Sequence, residues 1–372
     1  MNIAIWDSWR ECAIASDATL AQAAAAADRG GKHIAVMVNE SGALRAILTD
    51  GDLRRAQLAG ARSDRLALDY AVCAPITAPV GRTRVEYARS LRENNISHLP
   101  LVDDEDRLVD IAFREIQRIE DTGTWAVVMA GGFGKRLAPL TDTTPKPLLP
   151  VGGIPMLERI IRSLSEAGIK TIVLSVFHMA DQIRAFCGDG VRWGVRIIYI
   201  QEDSPRGTAG ALALLPERPR DQIIVMNGDI LTNLSFRALL NYHREQDHVA
   251  TMCVNEQRHQ VQYGVVKFDG LYISEIQEKP VHSYFISAGI YAFNPDVLDL
   301  IPKDRYFDMP SLFQVMADGD MRPGAFPIRE LWLDIGTMSD YEAAQKLAGP
   351  QRLRRACGDV LPIPMKGRII AA

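Results

Sequence analysis

The segment WAVVMAGGFGKRL, residues 125–137, runs from a short apolar stretch into a glycine-rich loop. The stretch Trp125–Ala130 predicts a buried strand that ends in this loop. Glycines let a backbone turn tightly and bring its N–H groups against an anion, so the loop is a candidate cradle for a phosphate or a nucleobase. A purely structural turn between a strand and a helix is the alternative.

Two common glycine-loop fingerprints do not fit this segment. A dinucleotide-binding fingerprint that begins at Gly132 needs another glycine five residues later, where the chain has Leu137. A P-loop that ends at Lys135 needs a glycine and a hydroxyl residue where the chain has Met129 and Arg136. The loop therefore belongs to another class of site.

The chain after residue 123 alternates between strand and helix patterns. The predicted strands are Trp125–Ala130, Thr171–Val176, Val195–Ile200 and Ile223–Met226, and the predicted helices are Met156–Ala167, Thr208–Leu215 and Phe236–Gln246. Such alternation predicts parallel strands joined by crossover helices, so we assign residues 124–346 to an α/β domain. Residues 347–372 are a C-terminal extension whose structure the sequence does not predict.

Residues 1–120 contain a repeat with a period of 64, which places Val38 on Val102 and Leu44 on Leu108. Each copy has the pattern helix, strand, strand, helix. The predicted strands are Ile34–Val38, Leu44–Leu48, Leu99–Val102 and Leu108–Ala112, and the closing helices begin at Asp52 and Glu115. Neither copy is large enough to bury a core alone, so we expect the two copies, about 1–60 and 61–120, to pack together.

Composition and charge exclude several classes of protein. The 372 residues are 47% hydrophobic and 24% charged, which excludes a fibrous or largely disordered chain. A net charge of −4 does not favour nucleic acid or an anionic membrane as a partner. The five cysteines form no C-x-x-C pair, and we find no signal peptide or membrane-spanning run, so we expect a cytoplasmic protein with reduced thiols.

Charged side chains lie close to the predicted strand ends. Lys146 stands between two prolines, which hold its backbone extended on a rigid support. Asp229 follows the strand Ile223–Met226, and Asp334 follows a second apolar run, at the kind of position where open α/β sheets bind ligands. Two converging carboxylates would suit Mg²⁺, although each aspartate alone is equally typical of a helix cap or a turn.

Taken together, these motifs resemble the sugar-1-phosphate nucleotidyltransferases over about residues 124–345. The resemblance also rests on the segment EDSPRGTAG at 202–210, on Glu278-Lys279-Pro280, and on the segment SAGIY at 287–291. It implies a Rossmann-like mixed sheet that binds an NTP at the glycine loop. It also implies a Mg²⁺-dependent reaction of that NTP with a sugar 1-phosphate, which yields an NDP-sugar and pyrophosphate.

The resemblance implies a role for each matching residue. The implied catalytic residues are Arg136, Lys146 and Lys279, the implied Mg²⁺ ligands are Asp229 and Asp334, and the implied sugar-binding residues are Glu278 and Gly289. The implied nucleotide-binding residues are Ala130, Gly131, Gly132, Gly134, Lys135, Glu202, Gly207, Thr208 and Gly228. One position departs from the family, which usually has threonine where this chain has Lys135.

Glu202 occupies the position that faces the nucleobase in relatives of this family. A carboxylate accepts hydrogen bonds and donates none, and guanine offers adjacent N1–H and N2–H donors, whereas uracil and thymine offer a single N3–H. We therefore predict GTP as the nucleotide. A transferase that uses CTP, UTP or dTTP, and a non-catalytic protein that senses nucleotides, are the alternatives; the residues do not identify the sugar.

The 64-residue repeat resembles a tandem pair of CBS domains, an α+β module that precedes the transferase domain. The first copy has the adenosine-binding pattern, with Thr49 and Asp52 three residues apart, whereas the second has Phe113 and Ile116 at the matching positions. The resemblance implies that the module binds one adenine nucleotide or mediates self-association into a homo-oligomer. Helix capping by Thr49 and Asp52 is the alternative.

Overall fold

The computed structural model describes residues 3–94, 96–114, 123–319 and 321–347. The chain divides into two compact units, and of the described residues 3–114 lie in an N-terminal unit and 123–347 in a C-terminal unit. The helix predicted from Glu115 and nearly all of the extension 347–372 lie outside the described residues. Among the helices described, none is both long enough and apolar enough to cross a membrane.

The N-terminal unit confirms the 64-residue repeat. Its elements are β1 (Ile3–Trp6), β2 (Ala13–Ile14), α1 (Leu20–Arg29), β3 (Ile34–Val38), β4 (Leu44–Thr49), α2 (Asp50–Leu58), β5 (Ala78–Pro79), α3 (Arg84–Glu93), β6 (His98–Val102) and β7 (Leu108–Arg114). Helices α1 and α3 begin and end 64 residues apart, and so do β3 and β6. Both helices begin with the same capping box, in which Thr19 or Thr83 caps the backbone N–H three residues later.

The two copies pack on each other, as their size requires. One copy forms the sheet β2-β3-β4, and the other forms β5-β6-β7 with β1 added at the edge. Their strand-connecting turns pair through a bridge between Ala43 and Arg107. Buried side chains of both copies, among them Ile34, Val36 and Ile111, form one hydrophobic cluster. This shared cluster explains why neither copy needs a complete core of its own.

The C-terminal unit is built on a seven-stranded sheet. The described strands of the unit, seven of which form this sheet, are β8 (Trp125–Met129), β9 (Pro150–Val151), β10 (Ile154–Pro155), β11 (Thr171–Val176), β12 (Arg196–Gln201), β13 (Ile223–Asn227), β14 (Ile230–Thr232), β15 (Ala250–Gln260), β16 (Val265–Asp269), β17 (Tyr272–Gln277), β18 (Val281–Phe293), β19 (Gly324–Pro327) and β20 (Trp332–Asp334). Its helices are α4 (Met156–Glu166), α5 (Ala180–Cys187), α6 (Gly207–Gly210), α7 (Phe236–Glu245), α8 (Met309–Asp318) and α9 (Met338–Leu347). The sheet order is β12-β11-β8-β13-β18-β15-β19.

The sheet is mixed, as the family resemblance implies. The alternation of strands and helices predicts a wholly parallel sheet, and this prediction is wrong. Strands β12, β11, β8 and β13 are parallel, but β18 is antiparallel to both β13 and β15. The chain returns from β15 to β18 through the hairpin of β16 and β17, without a crossover helix, and a hairpin return makes the two strands antiparallel. The helix predicted over 208–215 is also shorter, because α6 gives way to a 3₁₀ turn over Ala211–Leu214 before Pro216.

Helical layers cover both faces of the sheet. Side chains of β8 alternate between two buried clusters, with Ala126 and Val128 in one and Trp125 and Val127 in the other. Helices α4 and α7 contribute to the first cluster, and α8 contributes to the second. With both faces covered, the carboxyl ends of the parallel strands are the edge at which an open α/β sheet can receive a ligand.

Candidate active site

The glycine loop begins at the carboxyl end of β8, where the main chain of β11 holds it. Ala130 donates its N–H to the carbonyl of Ser175 at 2.8 Å, and Gly131 packs against Phe177 so closely that a Cβ would lie 3.0 Å from that residue's Cβ. A Cβ at Gly132 would meet no atom within 4 Å, so this part of the loop faces open space. The loop thus has a fixed base and an open rim.

The rest of the loop carries two exposed cations. Gly134 has a φ of +65°, and a Cβ there would lie 2.8 Å from the Cγ2 of Thr141, so both conformation and space require glycine. Lys135 is exposed, with its Nζ 5.4 Å from the ring centroid of Phe133. Arg136 is also exposed, and its guanidinium lies beside Gly336, where a Cβ would be 3.4 Å from Nη2, two residues after Asp334.

Two short strands bring the predicted metal ligands together. Asp229 immediately precedes β14 and Asp334 ends β20, and these strands pair antiparallel with Ile230 opposite Asp334. Ile335 donates its N–H to the carbonyl of Asp229 at 3.1 Å, which continues the pairing past the strand ends. Residues separated by about a hundred positions are therefore adjacent, as the sequence predicts for two converging carboxylates.

Lys146 reaches the same place from the proline-flanked segment. Its side chain is buried, and its Nζ forms an ion pair with the Oδ2 of Asp229. The other carboxylate oxygen of Asp229, Oδ1, is buried and accepts no hydrogen bond from any residue that the structure describes. A buried acceptor without a donor is costly, and a cation bound there would satisfy it.

The electrostatics of the group favour a bound cation. Desolvation by the surrounding protein raises the pKa of Asp334, and the charge of Asp229 raises it further, while Lys146 and Arg136 oppose both effects. The residue as a whole is exposed, so its carboxyl remains accessible from solvent. A cation bound beside Asp334 would offset the effect of the Asp229 charge on this carboxyl.

The donor set fits the predicted Mg²⁺. Mg²⁺ prefers oxygen ligands and is commonly held by one or two carboxylates together with substrate phosphates and water. The described ranges contain no group of three or more His, Cys, Asp or Glu residues arranged to hold a metal. A Mg²⁺ ion held by Asp229 and Asp334 would therefore take its other ligands from phosphate and water.

Two of the predicted site glycines are required by close packing of the strand ends. A Cβ at Gly228 would lie 2.8 Å from the carbonyl oxygen of Met129, so only glycine lets the β13 end approach β8. Gly289 has a φ of +68°, and a Cβ there would lie 2.8 Å from the Nδ2 of Asn227. Both glycines bring backbone close to the site, which is a sufficient reason for their presence.

The segment after β12 places Glu202 beside the glycine loop. The carboxylate accepts hydrogen bonds from the hydroxyl of Ser175 at 2.6 Å and from the backbone N–H of Arg206 at 3.0 Å. Gly207 and Thr208 contact the start of helix α8, and their predicted contact with the nucleotide stays a prediction. A Cβ at Gly207 would lie 2.5 Å from the carbonyl oxygen of Phe307, and the hydroxyl of Thr208 accepts the N–H of Met309.

Among the described residues, Glu278 and Lys279 form no hydrogen bond or ion pair with Lys146 or Asp229. Both residues are exposed, and they immediately precede Pro280 and the start of β18 at Val281. The nine residues from Val281 to Gly289 lie in one continuous strand, and their eight steps span about 25 Å at the usual rise per residue. Their predicted contact with the sugar phosphate remains a prediction.

Ser175 is the residue of this site that sequence analysis missed. It is fully buried in β11, in a run that otherwise reads as ordinary apolar strand. A single small polar residue inside such a run was the available signal, but its partner, Glu202, is distant in sequence. Only the parallel pairing of β11 with β12 brings the two together.

In the N-terminal unit, Thr49 and Asp52 cap a helix. Thr49 is the N-cap of α2, and its hydroxyl donates to the Oδ2 of Asp52 at 2.7 Å. The Oδ1 of Asp52 accepts a hydrogen bond from Arg55. The matching residues of the second copy are Phe113 and Ile116. The ring centroid of Phe113 lies 4.7 Å from the Nζ of Lys32, and Ile116 lies outside the described residues. The capping alternative describes what these two residues do here.

The chain is similar in sequence to known sugar-1-phosphate nucleotidyltransferases. The chain is 35% identical over 228 residues to the mannose-1-phosphate guanylyltransferase catalytic subunit beta of Drosophila pseudoobscura pseudoobscura. The matched region covers 59% of this chain and 61% of that protein. It is 33% identical over 236 residues to the UTP–glucose-1-phosphate uridylyltransferase of a Synechocystis strain, which covers 58% of this chain and 61% of that protein. The chain thus spans about three-fifths of the length of these relatives.

A solved structure and a family model cover the same region. The crystal structure of a Bacillus anthracis protein assigned as a glucose-1-phosphate thymidylyltransferase matches 60% of this chain and 95% of its own, with a TM-score of 0.50 and 28% identity. The nucleotidyl transferase family model matches residues 125–349, which is more than half of the chain and contains every residue of the Lys146, Asp229 and Asp334 group. The chain belongs to the nucleotidyl transferase family.

Proposed function

We propose that the protein transfers a nucleotidyl group from an NTP, preferably GTP, to a sugar 1-phosphate. The observation that carries this proposal is the convergence of Lys146, Asp229 and Asp334 beside the open glycine loop. The relatives named above act on sugar 1-phosphates by name, and their shared substrate class supports the same class here.

The reaction requires positioning and charge neutralisation more than covalent chemistry. An oxygen of the sugar phosphate attacks the α-phosphorus of the NTP, a new P–O bond forms, and the bond to the β-phosphate breaks so that pyrophosphate leaves. No general base is needed, because a phosphate monoester is already ionised near neutral pH. Lys146 and Arg136 provide positive charge where the equatorial oxygens gain negative charge.

Asp229 and Asp334 are the residues that would hold Mg²⁺. The ion, when bound, would neutralise phosphate charge and favour the in-line arrangement. Lys146 pairs with the Oδ2 of Asp229, so the Oδ1 of the same carboxylate is left for a cation. The ion pair therefore holds the carboxylate of Asp229 in place.

The preference for GTP rests on Glu202. Its carboxylate lies beside the glycine loop and can accept the two neighbouring N–H donors of guanine. The guanylyltransferase among the relatives supports GTP, whereas the uridylyltransferase supports UTP as the alternative. We take GTP as the nucleotide because only guanine uses both carboxylate oxygens.

A substrate panel tests the proposal. We expect kcat/KM to be highest for GTP among GTP, UTP, CTP, dTTP and ATP, by about tenfold or more, because one additional hydrogen bond to a charged group is worth that much. The measurement is pyrophosphate release with Mg²⁺ and a series of sugar 1-phosphates that includes mannose and glucose 1-phosphate. A higher kcat/KM for UTP or CTP would contradict the argument from Glu202. Absence of release with every pair would favour a non-catalytic nucleotide sensor.

We propose, from the family resemblance of the repeat, that the N-terminal unit is a CBS pair that binds one adenine nucleotide per chain. Thr49 and Asp52 already interact with each other, so a nucleotide would have to compete with their capping bonds. Such competition predicts weak binding, in the micromolar to millimolar range. Calorimetry on the full chain with AMP, ADP and ATP, at saturating GTP to fill the transferase site, measures the stoichiometry.

A matched pair of variants separates ligand binding from capping. Asp52→Ala removes the capping carboxylate of α2, and Glu86→Ala removes the equivalent carboxylate of α3, which accepts from Thr83 at 2.7 Å. We expect both variants to lose a similar amount of stability and only Asp52→Ala to abolish binding. If no adenine nucleotide binds to the wild-type chain, self-association becomes the proposed role, and sedimentation analysis is the test.

A further inference from the structure

The hydroxyl of Ser175 is a fully buried polar group that forms a hydrogen bond with the carboxylate of Glu202. Ser175 is 0% exposed, and its Oγ donates to the Oε1 of Glu202 at 2.6 Å. Neighbouring strand residues on either side, Leu174 and Val176, are apolar and equally buried. A hydroxyl placed in such surroundings is costly unless it is hydrogen-bonded, and here its acceptor is a carboxylate, which makes a strong bond.

A second donor holds the other oxygen of the same carboxylate. The backbone N–H of Arg206 donates to Oε2 at 3.0 Å, and the backbone N–H of Glu202 itself donates to the carbonyl of Val176 at 3.1 Å. Each carboxylate oxygen can accept about two hydrogen bonds, so one acceptor position remains on each. The carboxylate is therefore fixed in orientation while both of its oxygens keep a position for a ligand.

The same serine also anchors the glycine loop. Its carbonyl accepts the N–H of Ala130, the first residue of that loop, at 2.8 Å. The side chain and the main chain of one residue thus hold the two parts that a nucleotide would contact, the loop and the carboxylate. A change in the side chain alone leaves the main-chain bond intact, which allows the two roles to be separated.

We propose that Ser175 is a positioning residue for base selectivity: it orients Glu202 so that both carboxylate oxygens meet the N1–H and N2–H of guanine. This inference rests on the proposed function for the identity of the base, but it does not depend on transfer. Without the hydroxyl, Oε1 loses its internal donor and the carboxylate can rotate, so the paired contact to guanine is replaced by a single hydrogen bond. The recognition of N1–H survives, and the advantage from N2–H is lost.

Binding of GTP and ITP to the full chain tests the inference without turnover. The two nucleotides differ only in the 2-amino group of the base. We expect wild-type protein to bind GTP about tenfold more tightly than ITP, which corresponds to one hydrogen bond to a charged group. We expect Ser175→Ala to reduce the ratio to within about twofold, while its affinity for ITP changes little. Equilibrium dialysis with Mg²⁺ and no sugar phosphate gives both dissociation constants.

A matched control distinguishes orientation from a general loss of structure. Thr124 also donates its hydroxyl to a carboxylate, that of Asp221 at 2.9 Å, at the other end of the same sheet. Thr124→Val removes a bond of the same kind far from the loop, and we expect it to leave the GTP to ITP ratio unchanged. If Ser175→Ala does not fold, Ser175→Cys, which keeps a weak donor of similar size, is expected to give an intermediate ratio.

Each outcome separates this inference from the proposed function. Equal binding of GTP and ITP by the wild-type chain, no binding of GTP, or an unchanged ratio in Ser175→Ala would overturn the role of Ser175. Pyrophosphate release in the substrate panel would then still support the transferase. Conversely, a ratio that collapses only in Ser175→Ala supports the positioning role even if no sugar 1-phosphate reacts.

Discussion

Asp229→Asn is expected to lower kcat/KM by about a thousandfold or more, because it replaces an oxygen that we propose binds Mg²⁺ with an amide nitrogen. The affected atom is Oδ1, the buried oxygen without a donor. Lys146 donates to Oδ2, so the amide oxygen of asparagine keeps that position and its nitrogen replaces Oδ1. Asp334→Asn removes the facing carboxylate and is expected to have an effect of the same order. The measurement is pyrophosphate release with the best nucleotide and sugar 1-phosphate, at several Mg²⁺ concentrations.

A carboxylate at the other end of strand β13 provides the control. Asp221 precedes this strand, whereas Asp229 follows it, and Asp221 accepts a hydrogen bond from Thr124. Asp221→Asn is expected to retain activity within about threefold of the wild type, as an ordinary change near the surface does. Circular dichroism and thermal unfolding confirm that each variant folds. If either Asp229→Asn or Asp334→Asn keeps more than about a tenth of the wild-type activity, that aspartate does not bind the metal.

The sequence predicts that Asp229 and Asp334 converge because each follows an apolar run. A run such as Ile223–Met226 is readable as a strand from its apolar β-branched residues, and the residue after it must then lie at a sheet edge. The adjacency of Asp229 and Asp334 needs one further fact, the pairing of β14 with β20, which no local pattern contains. Convergence was therefore an expectation, and the antiparallel register explains it.

Two features could not be derived from local patterns. The direction of β18 depends on how the chain returns after β15, and a strand pattern is the same in either direction. The role of Ser175 depends on the parallel register that places β11 beside β12, because the partner Glu202 lies just past the end of β12. Both features are long-range, whereas propensity and periodicity are local.

Lys279 shows a further limit, in which the motif is clear but its predicted contact with the sugar phosphate stays a prediction. The tripeptide around Lys279 matches the family, yet the residue is exposed and has a φ of +46° at the start of the long strand β18. A motif reports which residue types are present, and the strand geometry decides what they can touch. The positive charge paired with Asp229 is that of Lys146, which stands between two prolines.

Lys146→Met is expected to lower kcat by about a hundredfold to a thousandfold, similar to the loss of one charge-stabilising donor in other enzymes. Methionine keeps a similar length and an apolar stem, so the loss reports the ammonium group. Lys146→Arg is also expected to be impaired, because the buried site holds a compact ammonium and a planar guanidinium needs a different space. Steady-state kinetics with saturating GTP and sugar 1-phosphate separate kcat from KM.

The stability of the double variant distinguishes an ion pair from two independent groups. Lys146→Met alone leaves the Asp229 carboxylate, which is 25% exposed, without its cation, and an unpaired charge in a partly buried place is destabilising. Lys146→Met combined with Asp229→Asn removes both charges, so we expect the double variant to unfold at a higher temperature than Lys146→Met in metal-free buffer. Additive losses of stability in the two single variants would mean that the two side chains are not coupled. Coupling in stability, together with loss of turnover in each single variant, is the result expected if Lys146 holds Asp229 ready for the cation.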